Sequence, residues 1–210
     1  MSEKISVFEE IYTHEYLWRA AELMLEEAKS NAKLDERKSF YFCLLSPLMS
    51  YMAFEAFINF SGYILFPEEW KDEKNYYKVE GKGKGDVIET KISKLLEKLD
   101  DFKWEKGNRP YQSIKKLKAF RDMVSHGKVK TSQYEAIRTD DGSHIEWTHD
   151  WDDFISIEKV DTVFMNDIKV FCQSLLDSMR KKSDHPHLIF DAFKGSLASA
   201  QGTQVDDNQA

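Results

Sequence analysis

An arginine, an aspartate and a histidine lie within six positions in the sequence AFRDMVSHGK, residues 119–128. Arginine stays charged at any working pH and its planar guanidinium matches phosphate oxygens, while histidine can accept or donate a proton near neutrality. Together, without an acidic metal cluster, Arg121 and His126 would suit metal-independent cleavage of RNA, because the RNA supplies its own 2′-hydroxyl nucleophile. The same residues also fit an ordinary helix end, with the histidine stabilised by the helix dipole and the arginine paired with surface carboxylates.

The spacing of Arg121 and His126 is weak support by itself, because other arginine–histidine pairs in the chain are spaced similarly. These pairs are Arg138 with His144 and Arg180 with His185. The former flanks the predicted turn TDDGS, and the latter straddles the end of a predicted helix. Only Arg121 and His126 lie on a predicted amphipathic helix whose apolar face would hold it against a core. Their context therefore favours them over the other pairs.

Helical geometry makes Asp122 and His126, four residues apart, neighbours on one face. An aspartate there can accept a hydrogen bond from the imidazole, fix its tautomer and raise its basicity. Arg121 lies about 140° around an ideal helix from His126. The arginine and the histidine therefore converge more easily if the last turn unwinds at Gly127, or if a second subunit supplies the other half of the site.

Apolar residues recur at helical spacing along most of the chain, which predicts a set of helices. They cover residues 6–30, 86–102, 110–126 and 156–182, and a further helix starts within residues 37–47 and runs to about 65. Pro47 lies in the second helix, either in its first turn after a Ser46 cap or as a kink within one long helix. Amphipathic helices around one largely apolar helix form a bundle. The predicted fold class is all-α, an up-and-down antiparallel helical bundle.

Residues 129–156, between the last two long helices, alternate apolar and polar residues around the turn sequence DDG. This alternation predicts a β-hairpin inserted between the helices. The helical domain with its insertion is predicted to occupy residues 1–183. The end of the chain, GSLASAQGTQVDDNQA, has almost no large apolar side chain. Residues 184–210 are therefore predicted to form a largely disordered tail.

The net charge of −7 argues against a general nucleic-acid binder, but the charge is unevenly distributed. Residues 102–130 hold nine lysines and arginines against two carboxylates, and residues 133–167 hold ten carboxylates against two basic residues. A basic segment around Arg121 can bind phosphates, although solvated helix and loop faces give the same pattern. The lysines expected to contact RNA are Lys115, Lys116, Lys118, Lys128 and Lys130.

The apolar run at residues 40–66 is long enough to cross a membrane. However, Glu55 and Asn59 lie near its middle and Pro47 interrupts it, and a charge at bilayer depth is costly. The central helix of a soluble bundle explains the same residues with less strain. We therefore expect no membrane association.

The two cysteines, Cys43 and Cys172, lie far apart in apolar surroundings and are predicted to be buried free thiols. The N-terminal residues contain no apolar segment typical of a signal peptide, so a cytoplasmic location is expected. The remaining histidine groupings, His144 with His149 and His185 with His187, lack the companions and spacing of a metal site. No metal or other cofactor is expected.

Two segments resemble the HEPN superfamily: FRDMVSHG, residues 120–127, and MSYMAFEAFINF, residues 49–60. The first is similar to the family's Arg-x4–6-His signature, although Asp122 replaces the commoner asparagine. The second is similar to the family's central helix, in which an acidic residue interrupts an apolar run. The resemblance covers roughly residues 10–180 and implies a helical bundle that often dimerises about a two-fold axis. Many members are RNA-cleaving toxins or defence proteins, and others are inactive binding or scaffold modules.

The resemblance implies an endoribonuclease site in which Arg121 holds the scissile phosphate and His126 acts as general acid or base. Copies of both residues from two subunits would face each other across a basic cleft. Glu55 would pair with one of them and Asn59 would share the network; alternatively, Glu55 bonds a tyrosine or backbone, or is exposed. The implied partners are RNA, a second copy of the chain, and an antitoxin or nucleotidyltransferase. The alternative function is a non-catalytic helical dimer that binds protein or nucleic acid.

Overall fold

The computed structural model describes residues 6–71, 87–127, 137–138, 145–146, 156–182 and 198–203. Within these ranges the protein is mostly helical, as expected for the all-α class. The helices are α1 (Thr13–Asn31), α2 (Glu36–Leu65), α3 (Pro67–Trp70), α4 (Val87–Leu96), α5 (Tyr111–Ser125), α6 (Ile157–Lys159) and α7 (Asn166–Lys182). A π-helical segment, Val160–Met165, joins α6 to α7, so the predicted helix at 156–182 is continuous but not uniformly α-helical.

The first predicted helix begins later than its sequence pattern indicates. Residues 6–11 form strand β1 (Ser6–Ile11), which pairs antiparallel with β4 (Ala198–Thr203). The segment SVFEEI contains valine, phenylalanine and isoleucine, which strands favour. Its partner lies at the other end of the chain, within the tail predicted to be disordered. The rest of residues 184–210 lies outside the described residues.

Two short strands lie in the segment predicted to hold a hairpin. Strands β2 (Ile137–Arg138) and β3 (Ile145–Glu146) pair antiparallel, with Ile137 opposite Glu146 and Arg138 opposite Ile145. The residues that connect them, and most of the predicted insertion, lie outside the described residues. The hairpin insertion therefore stays a prediction.

Helix α2 is the centre of the fold and runs for 30 residues with Pro47 inside it. Of the two roles predicted for the proline, a place within one long helix is the one observed. Asp35 caps the helix, because its side chain accepts from the Lys38 backbone N–H at 2.9 Å. By length and composition alone α2 could cross a membrane, but half of its most apolar window is buried inside the protein.

Helices α1 and α2 pack antiparallel through small residues. Ser39 of α2 donates to the Ala28 carbonyl of α1 at 2.8 Å, and Ser46 donates to the Ala21 carbonyl at 2.9 Å. Ala21 and Ala28 are completely buried. Because each serine satisfies its hydroxyl on the neighbouring backbone, the two helices can approach closely without leaving a buried polar group unpaired.

The apolar core lies where α2 meets α4, α5 and α7. Its largest completely enclosed side chains include Phe54, Phe57 and Ile58 of α2 and Ile168 and Leu175 of α7. Cys43 and Cys172 are buried free thiols, as predicted. Burial raises the pKa of Cys43 to about 11 and raises that of Cys172 as well. Neither thiol is therefore a reactive nucleophile near neutral pH.

Candidate active site at the contact of α2 and α5

Helix α5 is held against α2 by its apolar face. Ile114, Leu117 and Phe120 are each at most 3% exposed. Three-residue spacing puts them on one side of the helix, and Arg121 follows directly after the last of them. The side chain of Arg121 is therefore carried to the edge of the core, where it is 24% exposed.

Two carboxylates and one aromatic ring surround the Arg121 guanidinium. Its Nη2 donates to Glu55 Oε1 of α2, and its Nη1 lies 2.8 Å from Asp122 Oδ1. The guanidinium carbon lies 5.3 Å from the ring centroid of Tyr51, which is within cation–π range. The Nε atom is buried and has no acceptor among the described residues. Both terminal nitrogens of Arg121 are therefore already paired within the single chain.

Burial and the neighbouring charges shift the pKa values of Glu55, Asp122 and Arg121. Burial raises the pKa of Glu55, and the charge and hydrogen bond of Arg121 oppose that rise. Burial also acts to raise the pKa of Asp122, but the hydrogen bond from Lys118 and the Arg121 charge outweigh it and lower the pKa. For Arg121 burial acts to lower the pKa, and the carboxylates of Glu55 and Asp122 outweigh it and raise the pKa. The guanidinium therefore stays charged.

His126 caps the C-terminal end of α5 and its side chain is exposed. Its backbone N–H donates to the Asp122 carbonyl at 3.2 Å, and Gly127 follows with a φ of 55°. A glycine in this left-handed conformation just past a helix end terminates the helix without strain. The imidazole lies in solvent at the same end of α5 as the Arg121 cluster.

The contact expected between Asp122 and the His126 imidazole is not formed in the described structure. Asp122 Oδ2 instead accepts from Lys118 Nζ at 2.8 Å, and Oδ1 pairs with Arg121. Both carboxylate oxygens are therefore engaged by cations. Among the described residues, no hydrogen bond joins the imidazole of His126 to Asp122 or to Arg121.

Asn59 lies one turn beyond Glu55 but makes a different contact from the expected one. Its Oδ1 accepts from Lys91 Nζ of α4 at 2.5 Å. Lys91 is only 5% exposed, and its charge acts to lower the pKa of Glu55. Asn59 is therefore joined to the Arg121 cluster through the charge of Lys91.

The lysines predicted to bind RNA are only partly covered by the structure. Lys115 and Lys116 are exposed on α5, and Lys118 is half-buried against Asp122. Lys128 and Lys130 lie outside the described residues. The exposed lysines extend the positive charge of Arg121 along α5.

Two residues of the cluster, Tyr51 and Lys91, were missed by sequence reasoning. Tyr51 precedes Glu55 by four residues, so helical spacing places the two on adjacent turns of α2. Lys91 lies on the apolar face of α4, between the buried Ile88 and Leu95. A lysine at that position of an amphipathic helix was the available signal, because a buried ammonium requires a partner.

The Arg121 cluster could bind a phosphate only if the phosphate replaced one of the two carboxylates. Since both Nη atoms of Arg121 are paired, a phosphate oxygen must displace Glu55 or Asp122 before it can bind the guanidinium. His126 needs no such displacement, because its side chain is exposed. In the described ranges no three or more His, Cys, Asp or Glu side chains are grouped so that they could hold a metal ion.

Comparison of the chain with known proteins gives no significant match. None is found among protein-family models, among curated proteins or among solved structures. The residues and their geometry are therefore the basis for any functional conclusion.

Proposed function

We propose that the protein is a metal-independent endoribonuclease of HEPN type, with Arg121 and His126 as its catalytic residues. The observation that supports this proposal is their placement at one end of α5. Arg121 is half-buried at the contact with α2, and His126 is exposed at the end of the same helix. Cleavage through the 2′-hydroxyl requires a fixed cation for the phosphate and an accessible proton-transfer group.

In the proposed reaction His126 removes the proton from a 2′-hydroxyl of the RNA. The 2′-oxygen then attacks the adjacent phosphorus, and the bond to the 5′-oxygen of the next nucleotide breaks. The products are a 2′,3′-cyclic phosphate and a free 5′-hydroxyl, whose proton comes from an acid. Arg121 stabilises the negative charge that develops on the phosphate oxygens. Glu55 positions Arg121 until the phosphate takes its place.

A second copy of the chain is part of the proposal. Tyr41, Met52 and Tyr63 recur every eleven residues on α2, which is about three helical turns, and they are 58%, 38% and 43% exposed. They form an exposed apolar stripe that runs past Glu55. An exposed apolar stripe is typical of an interface, and a two-fold contact along it would bring two Arg121 clusters together.

Further parts of the proposal follow from the resemblance to the HEPN superfamily. The fold would be an up-and-down antiparallel bundle in which residues 129–156 insert a β-hairpin. The protein would act in the cytoplasm as a toxin or defence protein, and an antitoxin or nucleotidyltransferase would be its protein partner. The exposed Lys115 and Lys116 would bind the RNA backbone without reading its sequence.

One observation favours the alternative of a non-catalytic helical dimer that binds protein or nucleic acid. Both terminal nitrogens of Arg121 are paired with carboxylates, as in a structural ion-pair cluster that fastens α5 to α2. In that case the exposed His126 and its basic neighbours would be a binding surface only.

The experiment is cleavage of a mixed single-stranded RNA in excess EDTA by wild type, Arg121→Ala and His126→Ala. Arg37→Ala is the matched control, because Arg37 is exposed near the start of α2. We expect products that end in 2′,3′-cyclic phosphate, with a loss of at least about 100-fold in both site variants and none in the control. An inactive, folded and dimeric wild type would instead favour the non-catalytic binding module.

A further inference from the structure

A cavity of about 260 Å³ lies between α7 and the loop that precedes α5. Its lining includes three aromatic side chains, two cations and a serine: Trp104, Tyr111, Phe171, Lys103, Arg109 and Ser174. The volume is somewhat below the roughly 300–1,000 Å³ of pockets for drug-sized ligands. The cavity therefore suits a single planar ring system.

The aromatic wall of the cavity is organised around Trp104. Its ring lies edge-on to Tyr111 and Phe171, with centroid distances of 4.8 and 4.7 Å. The indole N–H is buried and has no acceptor among the described residues. Buried indole groups usually find a hydrogen-bond partner.

Both signs of charge line the cavity. Lys103 is exposed and forms no ion pair in the part of the chain that the structure describes. Arg109 is 54% exposed and uses Nε and Nη2 for a two-pronged pair with Asp167, which leaves Nη1 outside that pair. Glu105 adds a carboxylate to the lining, which accepts from Asn108 at 2.8 Å.

The cavity is connected to the Arg121 cluster by shared side chains. A second, much smaller cavity is lined by Trp104 and Tyr111 on one side and by Tyr51 and Lys118 on the other. Tyr51 lies under the Arg121 guanidinium and Lys118 bonds Asp122. Tyr51, Trp104 and Tyr111 therefore lie between the proposed phosphate site and the larger cavity, together with Lys118 and the carboxylate of Glu89.

We propose that the larger cavity binds one base of a single-stranded RNA whose phosphate lies at Arg121. This inference rests on the proposed function and adds to it a binding site for one base. Proteins that bind single strands combine aromatic platforms for the bases with a basic path for the backbone, and both features meet here. Recognition through one base in a cavity requires an unpaired strand, because a base within a duplex is not accessible.

The test measures binding of an uncleavable RNA to the full chain. A labelled 2′-O-methyl oligonucleotide of about ten nucleotides, within the site sizes of single-strand binders, is followed by fluorescence anisotropy. A second series carries one abasic position, moved along the strand. We expect one abasic position to weaken binding roughly tenfold, because it removes the base that stacks in the cavity.

The cavity is blocked by Ser174→Phe. Ser174 is exposed, and its hydroxyl bonds only the carbonyl of Val170 in its own helix at 2.8 Å, so the substitution leaves the core intact. Asn166→Phe on the same helix is the matched control, because Asn166 is exposed and does not line the cavity. We expect Ser174→Phe to weaken RNA binding roughly tenfold and to abolish the abasic effect, and the control to do neither. Lys103→Ala supplies a second variant if Ser174→Phe does not fold.

Three binding results would overturn the inference. The first is wild-type affinity for RNA in folded Ser174→Phe, and the second is an abasic effect that survives the block. The third is cavity-dependent binding of free AMP or UMP without any of the oligonucleotide, which would make the cavity a nucleotide site. Cleavage that does not depend on the cavity would refute this inference alone, whereas cavity-dependent RNA binding without cleavage would refute the ribonuclease alone.

Discussion

Arg121 of α5 and Glu55 of α2 form an ion pair between positions that are 66 residues apart in the chain. The pair is only about one quarter exposed on each side, with 24% for the arginine and 27% for the glutamate. One guanidinium therefore has a structural role, the attachment of α5 to α2, and a proposed chemical role at a phosphate. The two roles can be separated by substituting the glutamate.

Substitution of Glu55 by alanine is expected to lower the free energy of unfolding by roughly 1–3 kcal/mol, because it removes one of the two carboxylate partners of the half-buried Arg121. Urea denaturation of wild type and variant measures the change. Glu26→Ala is the control, since Glu26 is exposed on α1, and it should stay within about 0.5 kcal/mol of wild type. Equal stability of all three proteins would show that the ion pair contributes nothing.

Substitution of Glu55 by glutamine is expected to strengthen RNA binding several-fold. Glutamine keeps a hydrogen-bond acceptor beside Arg121 but removes the negative charge that competes with a phosphate. The dissociation constant of an uncleavable single-stranded RNA, measured at constant salt, tests this expectation. Unchanged or weaker binding by a folded Glu55→Gln would mean that Arg121 does not exchange its carboxylate for a phosphate.

The buried His14 is expected to make the free energy of unfolding depend on pH. It is 4% exposed among the rings of Tyr12, Phe57 and Phe60, and burial lowers its pKa from 6.5 to about 4. The unfolded chain therefore binds more protons between those values. The stabilisation is complete above pH 6.5 and is lost as the pH falls toward 4.

Between pH 7 and pH 5, titration of His14 is expected to lower the free energy of unfolding by roughly 2 kcal/mol. Urea unfolding of wild type and His14→Phe at each pH isolates it, because the carboxylates common to both proteins cancel in the difference. The variant should show the flatter profile. Parallel profiles would show that His14 does not titrate differently on folding.

The exposed apolar stripe of α2 predicts a dimer that depends on Tyr41. Tyr41→Lys would place a charge in the proposed interface, more than three turns from Glu55, so we expect monomers with an unchanged fold. Light scattering coupled to size exclusion gives the mass, and cleavage should fall with dimer content. Leu23→Lys is the matched control, because Leu23 is 59% exposed on α1. If Tyr41→Lys is still a dimer, the interface does not include Tyr41.

Gly62 is expected to be intolerant of even one methyl group. A Cβ atom at this position would lie 2.1–2.3 Å from the Trp70 indole, whose side chain is buried at 6% exposure. Gly62→Ala should therefore cost roughly 1–3 kcal/mol of stability, as overpacked cores do. Gly107→Ala is the control, since nothing lies within 4 Å of the added atom. A neutral Gly62→Ala would mean that α3 does not pack here.

Local sequence patterns were sufficient to predict most of the helices but not every helix boundary. Helix α5 begins after Pro110 and ends before Gly127 as predicted, because those residues act on the backbone next to them. Residues 6–11 were predicted as helix and form a strand, because their partner is residues 198–203. Local spacing carries no information about a pairing partner so distant in the chain.

The helical class, the position of Gly127 at the end of α5 and the two chemically capable side chains, Arg121 and His126, could be predicted from the amino-acid sequence. They follow from periodicity, backbone preference and functional-group chemistry, all of which are local. The contacts of Arg121 with Glu55 and Tyr51, and the bond of Asn59 to Lys91, could be seen only in the folded chain. Such contacts depend on how α2, α4 and α5 pack and on the direction in which each side chain leaves its helix. The spacing of residues within one segment predicts neither.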